Sequence, residues 1–209
     1  MDRPYAYVAR ARYRDNYARG MDIIDLSDPA NPELLLRWVN ENDDLNTGVG
    51  ALDIKYFKYA SRVYVVLSTQ FGQGPDHDLG AVIFDVTGLP DASTVKEVAR
   101  IREPEMPGGF HNIFIYQHSN GTPYLISTVR GPGAHMYDLS KVVTGDVANA
   151  LAGNVPIPGD KNVRRAYHDF YAAWHPDSEE DRFYGGGAGG YYVYDISDIE
   201  NPELRVTLT

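Results

Sequence analysis

The sequence predicts an all-β fold: a β-propeller of four-stranded antiparallel blades, about four of them, forming an arc of a larger propeller. Three observations carry this. First, one ending recurs four times: GMDIIDLSDPANPEL from Gly20, AVIFDVTGLPD from Ala81, AHMYDLSKVVTGD from Ala134 and YYVYDISDIENPEL from Tyr191. Each copy is an apolar or aromatic run, then Asp, an aliphatic residue, and Ser or Thr. The anchors Asp25, Asp85, Asp138 and Asp195 stand 60, 53 and 57 residues apart, the mark of a repeat architecture. Second, runs such as VYVVL and MDIIDL are apolar on both faces, as in sheets covered on both sides. Third, the 16 Tyr suit strands and the 20 Gly suit tight turns and bulges. A β-sandwich also has short strands, but it would not repeat an internal Asp-x-Ser/Thr ending four times.

In chain order, the first unit (residues 4–39) reads as strands Tyr5 to Arg12, Met21 to Leu26 and Glu33 to Val39, with a polar loop from Arg14 to Arg19. Between the last two strands, Ser-Asp-Pro-Ala-Asn-Pro is a turn, because Pro29 and Pro32 lack a donor and Asp28 and Asn31 bond local amides. The second unit (50–101) adds a strand at its front: Ala51 to Tyr59, Arg62 to Ser68, Ala81 to Val86 and Val95 to Ile101. The third (110–155) reads Asn112 to Gln117, Pro123 to Thr128 and His135 to Leu139, with a helical turn or short helix from Lys141 to Leu151 in place of a clean outer strand. The fourth (166–209) reads Tyr167 to Trp174, Arg182 to Tyr184, Tyr191 to Ile196 and Leu204 to Leu208. The first unit lacks an innermost strand, which favours the arc over a closed four-bladed ring. An arc bares two apolar blade faces and invites self-association.

The bulk numbers narrow the function classes. With 209 residues the chain can bury most of a core unaided. It has no cysteine, hence no disulfide framework and no thiolate metal site. A formal net charge of -10 repels nucleic-acid phosphates and anionic membrane surfaces, and in itself speaks for solubility. No apolar run reaches the roughly 18 residues of a membrane helix, so membrane insertion is not expected.

Two segments tie the chain to a known family. Asp22-Ile23-Ile24-Asp25-Leu26-Ser27-Asp28-Pro29-Ala30-Asn31-Pro32 resembles the LVIVD-repeat signature, an apolar run ending in Asp, an aliphatic residue, Ser-Asp-Pro and a second Pro. Tyr194-Asp195-Ile196-Ser197-Asp198 with Asn201-Pro202 is similar, and Tyr5-Ala6-Tyr7-Val8-Ala9 matches that family's strand. The second and third units depart after the Asp, with Thr87-Gly88-Leu89-Pro90 and Ser140-Lys141-Val142. The resemblance implies a bacterial β-propeller, extracellular or periplasmic, without an assigned activity and usually longer than this chain. A wider likeness is to the selenium-binding, methanethiol-oxidase type of propeller. There, strands opening with His-Asp or His-Asn carry histidines that hold a metal near the axis. His111-Asn112 and His168-Asp169 match that opening loosely.

Candidate chemistry follows from these alignments. The anchor Asp occurs once per repeat, and the Ser or Thr two residues on suits a turn cap, so its use is structural. The innermost strands open with Leu52-Asp53, His111-Asn112 and His168-Asp169, fed by long polar loops from Asn40, Arg102 and Pro156. Asp53, His111, Asn112, His168 and Asp169 are therefore the candidate ligand-binding residues, with His111 and His168 as nitrogen donors to a divalent metal. The competing reading has these side chains fixing the strand ends. Asp76-His77-Asp78 lacks the spacing of a calcium loop and reads as a solvated loop. His118 and His175 fall in hairpin turns, and His135 reads as packed. Gly185 to Gly190 is no phosphate loop, since a Tyr-rich strand follows it where a helix would be needed; its glycines read as letting the chain turn tightly. The function expected is a binding scaffold for a protein or small-molecule ligand, with no catalytic residue and no required cofactor. The alternative is a metal-dependent oxidase or hydrolase using His111, His168 and Asp169.

Overall fold

Alternation of apolar residues with short Asp-, Gly- and Pro-rich turns gives meanders, each strand pairing with its neighbour in sequence. The computed structural model describes residues 4–12, 18–159 and 166–208. The chain divides into two units, Met1–Gly109 and Phe110–Thr209. In the first, β1 (Tyr5–Arg10), β2 (Gly20–Asp25) and β3 (Glu33–Val39) form a three-stranded sheet, and β4 (Thr47–Tyr59), β5 (Arg62–Gln73), β6 (Leu79–Asp85) and β7 (Lys96–Arg102) a four-stranded one. In the second, β8 (Ile113–Gln117), β9 (Pro123–Thr128), β10 (Gly133–Asp138) and β11 (Leu151–Pro156) form one four-stranded sheet. A second contains β12 (Tyr167–His175), β13 (Glu180–Gly187), β14 (Gly190–Asp195) and β15 (Glu203–Leu208). Every pairing is antiparallel between sequence neighbours. The fold is all-β with the blade topology of a propeller, as the repeat predicts.

The anchor aspartates do the same job four times. Asp25, Asp85, Asp138 and Asp195 each accept, through Oδ1, the main-chain N–H two residues on, from Ser27, Thr87, Ser140 and Ser197 at 2.7, 2.9, 2.8 and 2.9 Å. A strand that ends in such a turn has its next donor satisfied without further pairing. In two repeats the hydroxyl then reaches back across the sheet. Thr87 Oγ1 accepts from Val63 N at 2.9 Å, and Ser197 Oγ from Asp181 N at 3.0 Å. The second aspartates, Asp28 and Asp198, close the following turn on Ala30 and Glu200.

Each unit has its own core. In the first, Met21, Ile23, Val65, Leu67, Phe71 and Phe84 are buried, with Trp38 edge-on to Phe84 at 5.1 Å. In the second, Ile126, Met136 and Val155 of one sheet pack with Tyr167, Phe183, Tyr192 and Tyr194 of the other.

Three expectations need correction. The outer segment of the third unit is not a helix in place of a strand: α1 (Leu139–Val143), capped by Asp138, is followed by the outer strand β11. Gly185, Gly186 and Gly187 do not turn the chain but lie in β13, and the turn is left to Gly189 and Gly190. The reason is contact: a Cβ on Gly185 would lie 2.5 Å from the Tyr167 ring, and one on Gly187 would lie 2.0 Å from Ala166 O. The loop read as solvated at Asp76 is a buried hub. Asp76 is fully buried and accepts from Asn40, Asn42 and Asn46 at 2.8, 3.2 and 2.9 Å and from Arg102 at 2.7 Å. Of the loops expected at 14–19 and 156–165, residues 14–17 and 160–165 lie outside the described residues.

Candidate functional site

The strands β8 and β12 open the two sheets of the second unit and lie beside one another. Residues 57 apart in the repeat become neighbours there. The rings of His111 and His168 meet edge-on at 4.8 Å, and those of Phe114 and Tyr171 at 5.2 Å. Asn112 Nδ2 donates to His168 O at 2.8 Å and to Asp169 Oδ1. The sequence pairs His111-Asn112 and His168-Asp169 are thus brought together, as their matching positions suggested.

The local backbone explains how the openings are held. Thr128 Oγ1 accepts from both His111 N and Asn112 N, at 2.8 and 2.9 Å, so one hydroxyl fixes the entry to β8. In the first unit Ser68 Oγ accepts from Asp53 N at 2.8 Å, the corresponding bond. The ladder is irregular at each of these places in β4 and β12, where the register shifts between Ala51 and Ile54 and between Tyr167 and Asp169. Such bulges re-aim side chains away from the alternating pattern.

The electrostatics of the second-unit opening are specific. His168 Nδ1 faces Asp169 Oδ2 at 2.6 Å. With the proton on Nδ1 donated to the carboxylate, Nε2 is the ring's acceptor, the arrangement that orients a ligating histidine. Both side chains remain largely exposed, at 67% for His168 and 73% for Asp169. The carboxylate is spent on Asn112 and His168, so it serves as an orienting group. Among the described residues no group of three or more His, Cys, Asp or Glu is placed to share a metal.

Asp53 does not resemble these residues in its surroundings. Its carboxylate accepts from Ile54 N at 2.8 Å and pairs with Lys55 of the same strand. The loop preceding β4 is likewise fastened from within. Arg19, 1% exposed, donates to Asp43 Oδ1 at 2.5 Å, to Asn46 O at 2.7 Å and to Gly48 O at 3.0 Å, and its guanidinium lies 5.2 Å from the Phe71 ring centre. These polar residues, which suggested a site-building loop, serve packing.

A second polar cluster escaped the sequence reading. Asp181 is fully buried and receives Tyr116 OH, Ser119 N at 3.1 Å and Ser119 Oγ at 2.5 Å. His118 Nδ1 accepts from Asn120 N at 3.1 Å, which leaves the proton on Nε2, facing Ile196 O at 3.0 Å and Asp181 Oδ2 at 3.2 Å. Burial pushes the Tyr116 phenol up, and the neighbouring Asp181 adds to the rise. The cluster latches the β8–β9 turn onto β13 and β14. His118 therefore sits in a turn as expected, but buried within it. The only signal available was the Asn120-Gly121 turn beside it. His135 is packed as expected, 7% exposed.

No protein-family model matches the chain. No curated protein sequence matches it either. A solved structure does: a Bifidobacterium bifidum s17 protein provisionally described as an exo-β-1,3-galactanase, with a TM-score of 0.59 and 11% identity. The match covers 97% of this chain and 66% of that one, so the chain spans just under two thirds of that structure's length. At this identity the likeness is one of fold.

Proposed function

We propose that the protein is a non-catalytic propeller module of the LVIVD-repeat type, binding a ligand at the openings of β8 and β12 through His111, Asn112, His168 and Asp169. The observation that carries the reading is the pair of imidazoles held edge-on at 4.8 Å, His111 half-buried and His168 exposed, with His168 oriented by Asp169 and Asn112. Charged and planar polar groups kept at a fixed spacing, yet open to solvent, suit recognition. Asp53 drops behind the other four because its carboxylate is engaged on its own strand.

The second reading is a divalent metal held by His111 and His168, with chemistry performed on it. The oriented His168 ring favours it, but two nitrogens fall short of the three protein ligands of a catalytic zinc site. If a metal bound, these rings would hold it, Asp169 would fix the tautomer of His168, and the metal would supply Lewis acidity.

The test is a titration followed in nitrogen-resolved NMR spectra, with nickel ions, a fragment library and β-1,3-linked galactan oligomers as probes. Binding should perturb His111, Asn112, His168 and Asp169 and vanish in His111→Ala/His168→Ala, with circular dichroism verifying that this variant folds. Perturbations confined elsewhere would overturn the assignment.

A further inference from the structure

The third repeat departs from the others after its anchor aspartate, where α1 replaces the Ser-Asp turn, and a cavity lies beside the departure. Its volume is about 440 Å³, and its walls come from α1, the start of β11, the β8–β9 turn and the turn that follows β14. It stands at the opposite end of β8 from the imidazole pair, since His111 precedes that strand and Asn120 follows it.

The polar groups on its wall are not matched to one another. Tyr124 is 7% exposed, and its hydroxyl accepts from Asn120 Nδ2 at 3.4 Å but donates to nothing among the described residues. The anchor differs from its equivalents too. Asp85 and Asp195 pair Oδ2 with Arg62 and Arg205 at 2.6 Å each. Asp138 engages Oδ1 on Ser140 N and Lys141 N, while Oδ2 has no donor among the described residues. The Glu200 carboxylate has none there either. Lys141 gives one proton to Asn149 O at 3.2 Å and keeps two. A buried phenol proton without an acceptor and a carboxylate oxygen without a donor, on one cavity wall, are complemented by a ligand that fills both roles.

We propose that this cavity binds a neutral polyhydroxylated molecule the size of one sugar ring, which accepts from Tyr124 and donates to Asp138 and Glu200. A hydroxyl does both at once. Charge selects against the alternatives. A cation would meet Lys141, and an anion would meet Asp138 and Glu200. A free amino acid needs a cation for its carboxylate, and Lys141 is turned to the Asn149 carbonyl. Asp198 adds little, because its two oxygens already accept from Glu200 N and Asn201 Nδ2 at 3.0 Å each. Leu151, Ala152 and the buried Ile199 line the same cavity and suit the C–H face of a ring.

Titration with galactose, glucose and myo-inositol, followed in nitrogen-resolved NMR spectra, tests this on the parent, Tyr124→Phe and Asp138→Asn. Tyr124→Phe removes a hydroxyl whose one bond is long, and Asp138→Asn keeps Oδ1 for the turn; circular dichroism verifies that both fold. At least one of the three probes should shift the Asn120, Asp138 and Glu200 amides saturably in the parent. Each variant should weaken that binding by about three- to tenfold. His111→Ala/His168→Ala should bind as the parent does, which separates this cavity from the opening of β8 and β12. No saturable shift with any probe, or binding unchanged in Tyr124→Phe and Asp138→Asn, would overturn the proposal. So would putrescine, acetate or glycine saturating the same amides more tightly than every one of the three, since the ligand would then be charged.

Discussion

Asn112 Nδ2 donates to the main-chain carbonyl of His168 at 2.8 Å, tying the opening of one sheet to the opening of the next. The two residues are 56 apart in sequence and meet because the repeat returns the chain to the same height in the neighbouring blade. The bond sits beside the imidazole pair, at the opening proposed to bind a ligand, and away from the core. Asn112→Ala should leave melting within about 1 kcal/mol while loosening whatever probe His111 and His168 hold. Melting curves and probe titrations on the same sample measure both.

Asp76 is the polar centre of the first unit. Burial pushes its carboxyl up, yet donation from Asn40, Arg102, Asn46 and Asn42 outweighs burial and holds it at about 2, below its usual 3.8. The native state therefore binds this proton more weakly than the unfolded chain does. The contribution is complete above the unfolded value and is lost as pH falls through about 2. Asp76→Ala should cost about 1–3 kcal/mol near neutral pH, since it leaves the buried Asn40 and Asn46 amides short of an acceptor while Arg102 keeps Asp78 at 2.5 Å. Denaturant melts of parent and variant across pH 2 to 7 should converge at the acid end, to the extent that this group governs the difference.

Tyr116→Phe removes the hydroxyl that donates to the buried Asp181. Loss of a hydrogen bond to a charged group should cost about 1.5–3 kcal/mol. Chemical denaturation reads the loss directly. An unchanged midpoint would mean that Ser119 and His118 satisfy the carboxylate by themselves.

The β13 glycines make a graded pair. In Gly187→Ala the new Cβ meets the Ala166 carbonyl, a main-chain atom that cannot swing aside, at 2.0 Å. In Gly185→Ala it meets the Tyr167 and Phe183 rings at 2.5 and 2.4 Å. Overpacking of this kind costs about 1–3 kcal/mol, with Gly187→Ala the more damaging of the two. Thermal melts rank them.

What the sequence made legible is what the repeat writes down. The four anchor aspartates, their Ser or Thr partners and the sheet count could be read because each signal is local, confined to two or three residues. The neighbourhood of His111 and His168 was legible at one remove, through their matching positions. The Asp76 hub was not, because its donors lie up to 36 residues upstream and 26 downstream. Nor was Asp181, whose partner Tyr116 lies 65 residues away on the neighbouring sheet. Polar residues in long loops look alike whether they face solvent or a buried carboxylate, and only the folded chain separates Asn42 from Asn112.

Metal content of the purified protein, measured by elemental mass spectrometry, bears most directly on the central claim that the His111–His168 opening binds without catalysing. Two imidazoles and an occupied carboxylate predict transition metal well below one equivalent per chain, unchanged in His111→Ala/His168→Ala. Near-stoichiometric metal that disappears in that variant would contradict the claim and make the site a metal centre.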